Sequence, residues 1–337
     1  MREENNPIRQ KNLRELKALL FKKRKAIKAE MVKDTGLSVV TINSLVKELV
    51  KENIFLENSF VQQKTGRPAA DYIFNYDKSF YLLVSIQEKK SAKRKRNLET
   101  IIKIVNLDGD EKVSDIVDFP NDTDDLLQII DKYIHREYEI ERIGLTLPGK
   151  IFEGVITSSW ENMFDSWNIE KELKKITDIP IKIQNDAHIM TMGYCVENNL
   201  TNESVVGIYY PEKSMPGITI LSKGVLIEGQ KGLAGEIKYL PMLMDKAAPG
   251  TDEELVHNLS EIVAIYNAVI APSIFVISSE NIDEEMMKRQ IGDNTHLSRQ
   301  PNKPVIYFDR NFQQSITVGL RWLVTKDTIY KINFQER

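Results

Sequence analysis

Ile42, Leu45, Val46 and Leu49 recur at i, i+3, i+4 and i+7, the spacing of one buried helical face. The opposite face carries Thr41, Ser44, Lys47 and Lys51, and Ser38 stands where an N-cap belongs. Upstream, Glu30 to Thr35 reads as a short helical run ended by Gly36, because glycine accepts the left-handed backbone of a tight inter-helix turn. Leu37 is placed to plug the gap between the two helices. The period then changes. Ile54, Phe55 and Leu56, followed by Phe60 and Val61, read as a strand, and Ala70, Tyr72 and Phe74 alternate as its partner. Between them lies Gln63-Lys64-Thr65-Gly66-Arg67-Pro68, a polar turn with two cations. Ala26 to Pro68 therefore has the pattern of a winged helix-turn-helix.

Beyond a short polar joint at Asn75 to Ser79, strands and helices mix. Strands are expected over Phe80 to Ile86, Thr100 to Asn106 and Glu111 to Phe119, with Asp108-Gly109 as a hairpin turn. A helix over Thr123 to Ile134 and a strand over Ile140 to Leu147 follow, ending in a Pro148-Gly149 turn. Further strands are expected at Val155-Ile156, Ile181 to Ile183, Val205 to Tyr210 and Gly217 to Leu221. Helices are expected at Ile169 to Thr177, Ala187 to Val196 and Glu253 to Ile270. This order predicts a two-lobed α/β body. The expected divisions are a DNA-binding domain over 1–76, a first lobe over 77–195 and a second over 196–337, leaving open a return of the C-terminal helix to the first lobe.

Charge sharpens the reading of the head. Residues 1–75 hold 15 Lys and Arg against 9 Asp and Glu, a net of +6; the whole chain is −3, which leaves −9 for the remainder. A basic head on an acidic body is the asymmetry of a nucleic-acid-binding module joined to something else. The expected partner is a double-stranded DNA operator. Thr41, Ser44 and Lys47, with Ser38 at the helix start, suit phosphates and base edges, and Val39 or Val40 suits a thymine methyl. Arg67 is placed to enter a minor groove. The same residues also fit a plain helical hairpin with a charged hairpin tip, so both readings stand at this level.

Composition excludes other classes. With one cysteine, Cys195, among 337 residues, the chain forms no internal disulfide, and a cysteine zinc site is not expected. No run of about eighteen apolar residues exists to span a membrane. Met1 to Asn6 is polar, without the apolar core of a secretory signal, so a cytoplasmic protein is expected.

Several segments resemble the ROK family, named for repressors, open reading frames and kinases of sugars. In the head these are Thr35-Gly36-Leu37-Ser38, Thr41 and Gly66-Arg67-Pro68-Ala69. In the body they are Gly144-Leu145-Thr146-Leu147-Pro148-Gly149, Asn162 with Trp167, Asn185-Asp186-Ala187 preceded by Gln184, and Gly232-Leu233-Ala234-Gly235-Glu236-Ile237. The resemblance implies a winged helix-turn-helix followed by a two-lobed actin-like, ribonuclease H-like sugar kinase fold, assembled as a homodimer or homotetramer. It also implies a sugar or sugar-phosphate effector. Asp186 matches the family's catalytic aspartate, and Asn162, Asn185 and Glu236 match sugar-binding positions. An amide both donates and accepts, and a carboxylate takes two donors, so these side chains suit hydroxyls. Asn185-Asp186 equally suits a helix N-cap, and Glu236 a surface loop.

The departures from the family pattern bear on activity. The family's first phosphate loop is Asp-x-Gly-Gly-Thr; the matching Ser85 to Ala92 has no glycine. The second, near residue 212, reads Pro211-Glu212-Lys213-Ser214-Met215-Pro216-Gly217, and a late Gly-Gly is replaced by Ser278-Ser279. Glycines let backbone amides approach phosphates, and phosphoryl transfer depends on that positioning. Kinase activity is therefore expected to be lost, leaving a regulator, most simply a repressor, with no cofactor. Tyr239 occupies the place of a histidine that in the family touches both zinc and sugar, and no cysteine run follows, so no metal is expected. His135, His188, His257 and His296 are scattered and read as surface or core residues. Lys89 to Arg96 is a dense basic run, read as a solvated hairpin tip or a second anion contact.

Overall fold

The computed structural model describes residues 6–58, 70–88, 98–159, 162–211, 215–244, 249–279 and 283–331. Phe60, Val61, the wing tip with Arg67, and the basic run Lys89 to Arg96 lie outside them.

The head begins with a helix not among the expected elements, α1 (Pro7–Lys23). Asn6 caps it, accepting from the Ile8 amide, and Pro7 pre-sets its first turn. Only Leu13, Leu16 and Leu20 are buried along it. Strand β1 (Lys25–Ile27) leads into α2 (Lys28–Thr35) and α3 (Val39–Lys51). Gly36 ends α2 with φ 69° and ψ 6°, and the Ser38 side chain caps α3 by accepting from the Thr41 amide at 3.1 Å. Ile42, Leu45, Val46 and Leu49 are all buried, as their spacing requires. Strands β2 (Phe55–Glu57) and β3 (Asp71–Phe74) complete an antiparallel sheet in the order β1-β3-β2.

The body contains two five-stranded sheets. The first is built from β4 (Phe80–Glu88), β5 (Leu98–Asn106), β6 (Glu111–Asp118), β7 (Ile140–Leu147) and β10 (Ile181–Asn185). The second is built from β11 (Ser204–Tyr209), β12 (Gly217–Ser222), β13 (Val225–Leu226), β14 (Ile274–Ser278) and β15 (Val305–Phe308). In each, the first three strands form an antiparallel meander, and the last two add in parallel on the other side of the first strand. Both sheets thus share the spatial order third-second-first-fourth-fifth, a duplicated topology with no matching sequence repeat. This is the two-lobed actin-like α/β architecture.

Side-chain alternation distributes the core. Along β4, Tyr81 and Leu83 enter one cluster and Phe80, Leu82, Val84 and Ile86 the other, the period of two expected for a strand covered on both faces. The outer face of the first sheet packs on α4 (Thr123–Ile134) and α5 (Ile169–Leu173), that of the second on α7 (Asp252–Ile270), α8 (Glu284–Asp293) and α9 (Thr295–Ser298). Between the sheets lie α6 (Asp186–Glu197) and α10 (Phe312–Thr325). These two helices cross at glycines: a Cβ on Gly193 would stand 1.8 Å from the Ser315 carbonyl oxygen, and one on Gly319 2.1 Å from that of Ile189.

Two expectations need correction. The Pro148-Gly149 turn is immediately the start of a strand, β8 (Gly149–Phe152), paired with β9 (Val155–Ser159). The helix expected to Thr177 stops at Leu173, because Asp178 and Pro180 prepare the entry to β10. Among the described residues no helix is long and apolar enough to cross a membrane.

Candidate functional site

The head presents α3 with its outer face available. Val39 is 61% exposed and Val40 80%, uncommon for valines that open a helix. Ser44 and Lys47 are also exposed, and Thr41 is half-buried. Two of these polar groups already have partners. The Ser38 and Thr41 hydroxyls lie 2.9 Å apart, and Ser44 accepts from Arg9 Nη1 at 3.3 Å. Arg9, on α1, also pairs with Glu48. It is a cation beside the outer face of α3 that the sequence pattern did not single out.

The head is fastened to the body rather than tethered. The Leu107 amide donates to the Tyr76 carbonyl at 3.1 Å, and Arg24 pairs with Asp108 at 2.7 Å. Phe21 and Phe74 meet Tyr330, which follows α10, at ring-centroid distances of 5.1 and 5.9 Å. Asp108 belongs to the expected hairpin turn, where the Asn106 side-chain oxygen accepts from the amides of Asp108, Gly109 and Asp110. Arg321 of α10 donates to the Leu107 carbonyl at 2.9 Å in the same turn.

The body's candidate cleft forms at the carboxyl ends of the parallel strands β7 and β10, where open α/β sheets place ligands. Asn185 ends β10 and caps α6, accepting from the amides of Ala187 and His188 while donating to the Gly149 carbonyl at 3.1 Å. Its amide is thereby committed to the scaffold on both its atoms. Asp186 is buried; one oxygen accepts from the Ala187 amide at 2.8 Å. Burial pushes its carboxyl up to about 7, a rise that the amide bond and the Lys150 charge only partly oppose. Lys150, on β8, is itself only 6% exposed. Its ammonium lies 3.4 Å from Glu236 Oε1 and 3.5 Å from the Ala234 carbonyl oxygen. The other oxygen of Glu236 faces Lys238 at 3.5 Å. His188, one position into α6 from Ala187, is buried beside Gln184; desolvation first, then the Lys150 charge, pushes it down to about 3, so it is neutral. An open depression of about 500 Å³ lies just before Glu236, lined by Gly229, Gln230, Lys231, Leu233 and Ala234.

Of the candidate body residues, Asn185, Asp186 and Glu236 thus gather around Lys150. Asn162 and Tyr239 do not join them by any described contact. Asn162 is exposed in a left-handed backbone, φ 57°, and Tyr239 is 61% exposed with the Lys238 ammonium 5.3 Å from its ring centroid. Lys150, the residue after the expected Pro148-Gly149 turn, was not among the candidate residues.

A winged-type helix-turn-helix head on a duplicated actin-like α/β body is the class that the fold and site define. Within it, residues 111–250 match the ROK family model. Over 224 residues the chain is 25% identical to the xylose repressor of Bacillus spizizenii; the match covers 63% of this chain and 56% of that repressor, little more than half its length. Among solved structures, a ROK family transcriptional regulator described as a homolog of the E. coli MLC protein aligns with TM-score 0.63 at 16% identity, covering 96% of this chain and 97% of that one. A ROK family glucokinase from Streptomyces griseus, in complex with glucose and AMPPNP, aligns with TM-score 0.56 at 13% identity, covering 72% of this chain and 98% of that one. At these identities the structural likeness is one of fold.

Proposed function

We propose that this chain is a DNA-binding transcriptional regulator, acting as a repressor of carbohydrate metabolism, whose body senses a sugar or sugar derivative. The observation that carries the reading is the capped α3 on a basic head, with Val39, Val40, Ser44 and Lys47 on its outward face. In this reading Ser38, Val39, Val40, Thr41, Ser44, Lys47 and Arg67 form the DNA-binding set. Asn162, Asn185, Asp186, Glu236 and Tyr239 form the sugar-binding set, with Asn185 acting through the scaffold. The fold likeness to a ROK regulator over the whole chain, head included, supports it, as does the similarity to a xylose repressor. We infer a division into domains 1–76, 77–195 and 196–337, with α10 returning to the first lobe, and a cytoplasmic homodimer or homotetramer.

Coupling follows from the packing. Asp186 opens α6, α6 is locked to α10 through Gly193 and Gly319, and the segment after α10 reaches the head through Tyr330. A ligand alters DNA affinity only through its differential affinity for two arrangements of these parts. The test is fluorescence anisotropy of the full chain on DNA from upstream of its own gene across a salt series. Affinity should fall steeply with salt, since phosphate neutralisation releases counterions. Arg67→Ala should weaken binding, and Lys47→Ala should lower the salt slope by about one. Absence of DNA binding at low salt would sink the reading.

The second reading is an active sugar kinase with a regulatory head, favoured by the fold likeness to a glucokinase. A buried Asp186 at the cleft could accept a hydroxyl proton. Against it stand the glycine-free Ser85 to Glu88, which is strand rather than loop, and Ser278, whose carbonyl is taken by the Tyr210 amide. ATP-dependent sugar phosphorylation abolished by Asp186→Asn would establish the kinase.

A further inference from the structure

Lys150 is a buried lysine with poor company. An ammonium has three protons to place, and charge-assisted bonds normally run at about 2.7–2.9 Å. Here the described partners stand at 3.4 and 3.5 Å. A buried cation is costly unless it is closely paired and hydrogen-bonded. Glu236 does not neutralise the place, because it faces Lys238 on its other oxygen, so one carboxylate sits between two ammoniums. The remaining buried groups offset the positive charge only in part: burial raises the Asp186 carboxyl to about 7, so near neutral pH it carries about half a charge, and His188 is neutral. Two ammoniums against one carboxylate and a partly ionised one leave a net positive charge, and its buried carrier, Lys150, has only long contacts to its described partners. A neutral sugar offers only hydroxyl oxygens to that ammonium, whereas an anion offers the short, charge-assisted bond that it lacks.

We propose that the cleft takes an anionic sugar, one carrying a carboxylate or a phosphate, with Lys150 as its anchoring cation and Lys238 at the rim. This rests on the reading of the body as a sugar sensor. Asp186 and Glu236 then serve as acceptors for the ligand's hydroxyls, and Lys150 decides which sugars are retained.

Calorimetry on the full chain tests it, with glucose and xylose as neutral probes, glucose 6-phosphate and glucuronate as anionic ones, and inorganic phosphate alone as a control. At least one anionic sugar should bind about tenfold or more tighter than glucose, the worth of one charge-assisted hydrogen bond. The phosphate and carboxylate arms tell the two sources apart. Lys150→Met should erase that advantage while leaving glucose affinity less affected, and Lys150→Arg should restore part of it. Should Lys150→Met fail to fold, Lys238→Gln at the exposed rim should still cut anionic-sugar affinity about twofold or more. Glucose or xylose binding as tightly as the anionic sugars, or inorganic phosphate binding as tightly as glucose 6-phosphate, overturns the inference with the sensor reading intact. If no member binds while DNA binding persists, both fall, and the Lys150–Glu236 pair is an internal fixture of a ligand-independent body.

Discussion

The crossing of α6 and α10 makes a sharp prediction, because backbone meets backbone there. Gly193→Ala would put a methyl carbon 1.8 Å from the Ser315 carbonyl oxygen, and Gly319→Ala one 2.1 Å from that of Ile189. Real Cβ contacts begin near 3 Å, so the helices must part by about an ångström, and no side-chain rotation can relieve a clash with a carbonyl. Separation loosens Ile189, Met190, Cys195, Ile316, Leu320 and Leu323, all buried at this seam. Overpacking of this kind costs about 1–3 kcal/mol, and a backbone clash belongs at the upper end. Alanine's better helix propensity returns at most about 1 kcal/mol, so the net loss is about 2 kcal/mol. Gly292 supplies the control: it lies on α8 with nothing within 4 Å of a Cβ and no positive φ. Gly292→Ala should stabilise by about 0.5 kcal/mol. Urea melts of the full chain, followed by circular dichroism, read both. The midpoint should fall for Gly193→Ala and Gly319→Ala and rise slightly for Gly292→Ala. Equal midpoints for Gly193→Ala and the parent would refute the close crossing and, with it, the rigid route from the cleft to the head.

Ser38→Ala removes the α3 cap and should cost about 1 kcal/mol of stability in thermal melts, with DNA affinity falling as well because the cap orders the reading helix. Asp186 and His188 should produce opposed pH dependences. Asp186, raised from 3.8 to about 7, keeps its proton on folding, so its contribution to stability is lost as pH rises through that window. His188, lowered from 6.5 to about 3, stays neutral on folding, so its contribution is lost as pH falls through its window. Between pH 4 and 6.5 the two slopes offset. Asp186→Asn should therefore unmask a stability that rises with pH, by at most about 1.4 kcal/mol per unit, and His188→Gln the reverse. Parallel urea-midpoint profiles for the parent and both variants would refute this.

What could be read from the chain was local. The i, i+3, i+4, i+7 set on α3, Gly36 with its left-handed backbone, Ser38 as cap and the Asp108-Gly109 turn each depend on a few neighbouring residues, and each is where the spacing puts it. α1 was legible and was missed: its buried leucines, Leu13, Leu16 and Leu20, fall at i, i+3 and i+7, and Asn6-Pro7 carried a start signal, a cap followed by a proline at the first helical position. Lys150 had no such signal. A lysine after Pro148-Gly149 looks like turn polarity until β8 forms and its partners arrive from Ala234 and Glu236, more than eighty residues away in the chain. Asn162 shows the converse: a motif position can match a family and still be exposed, with no described contact to Asn185, Asp186 or Glu236, in a left-handed backbone that the motif did not announce. The duplicated sheet order was equally hidden, since topology repeats the sequence of strand directions rather than the residues. Gly193 and Gly319 complete the point. Each is an unremarked helical glycine alone, and they acquire meaning only when two helices more than a hundred residues apart meet across them. The chemistry of this cleft and its route to the head are therefore properties of long-range packing, while the helix-turn-helix geometry of the head is a property of local sequence.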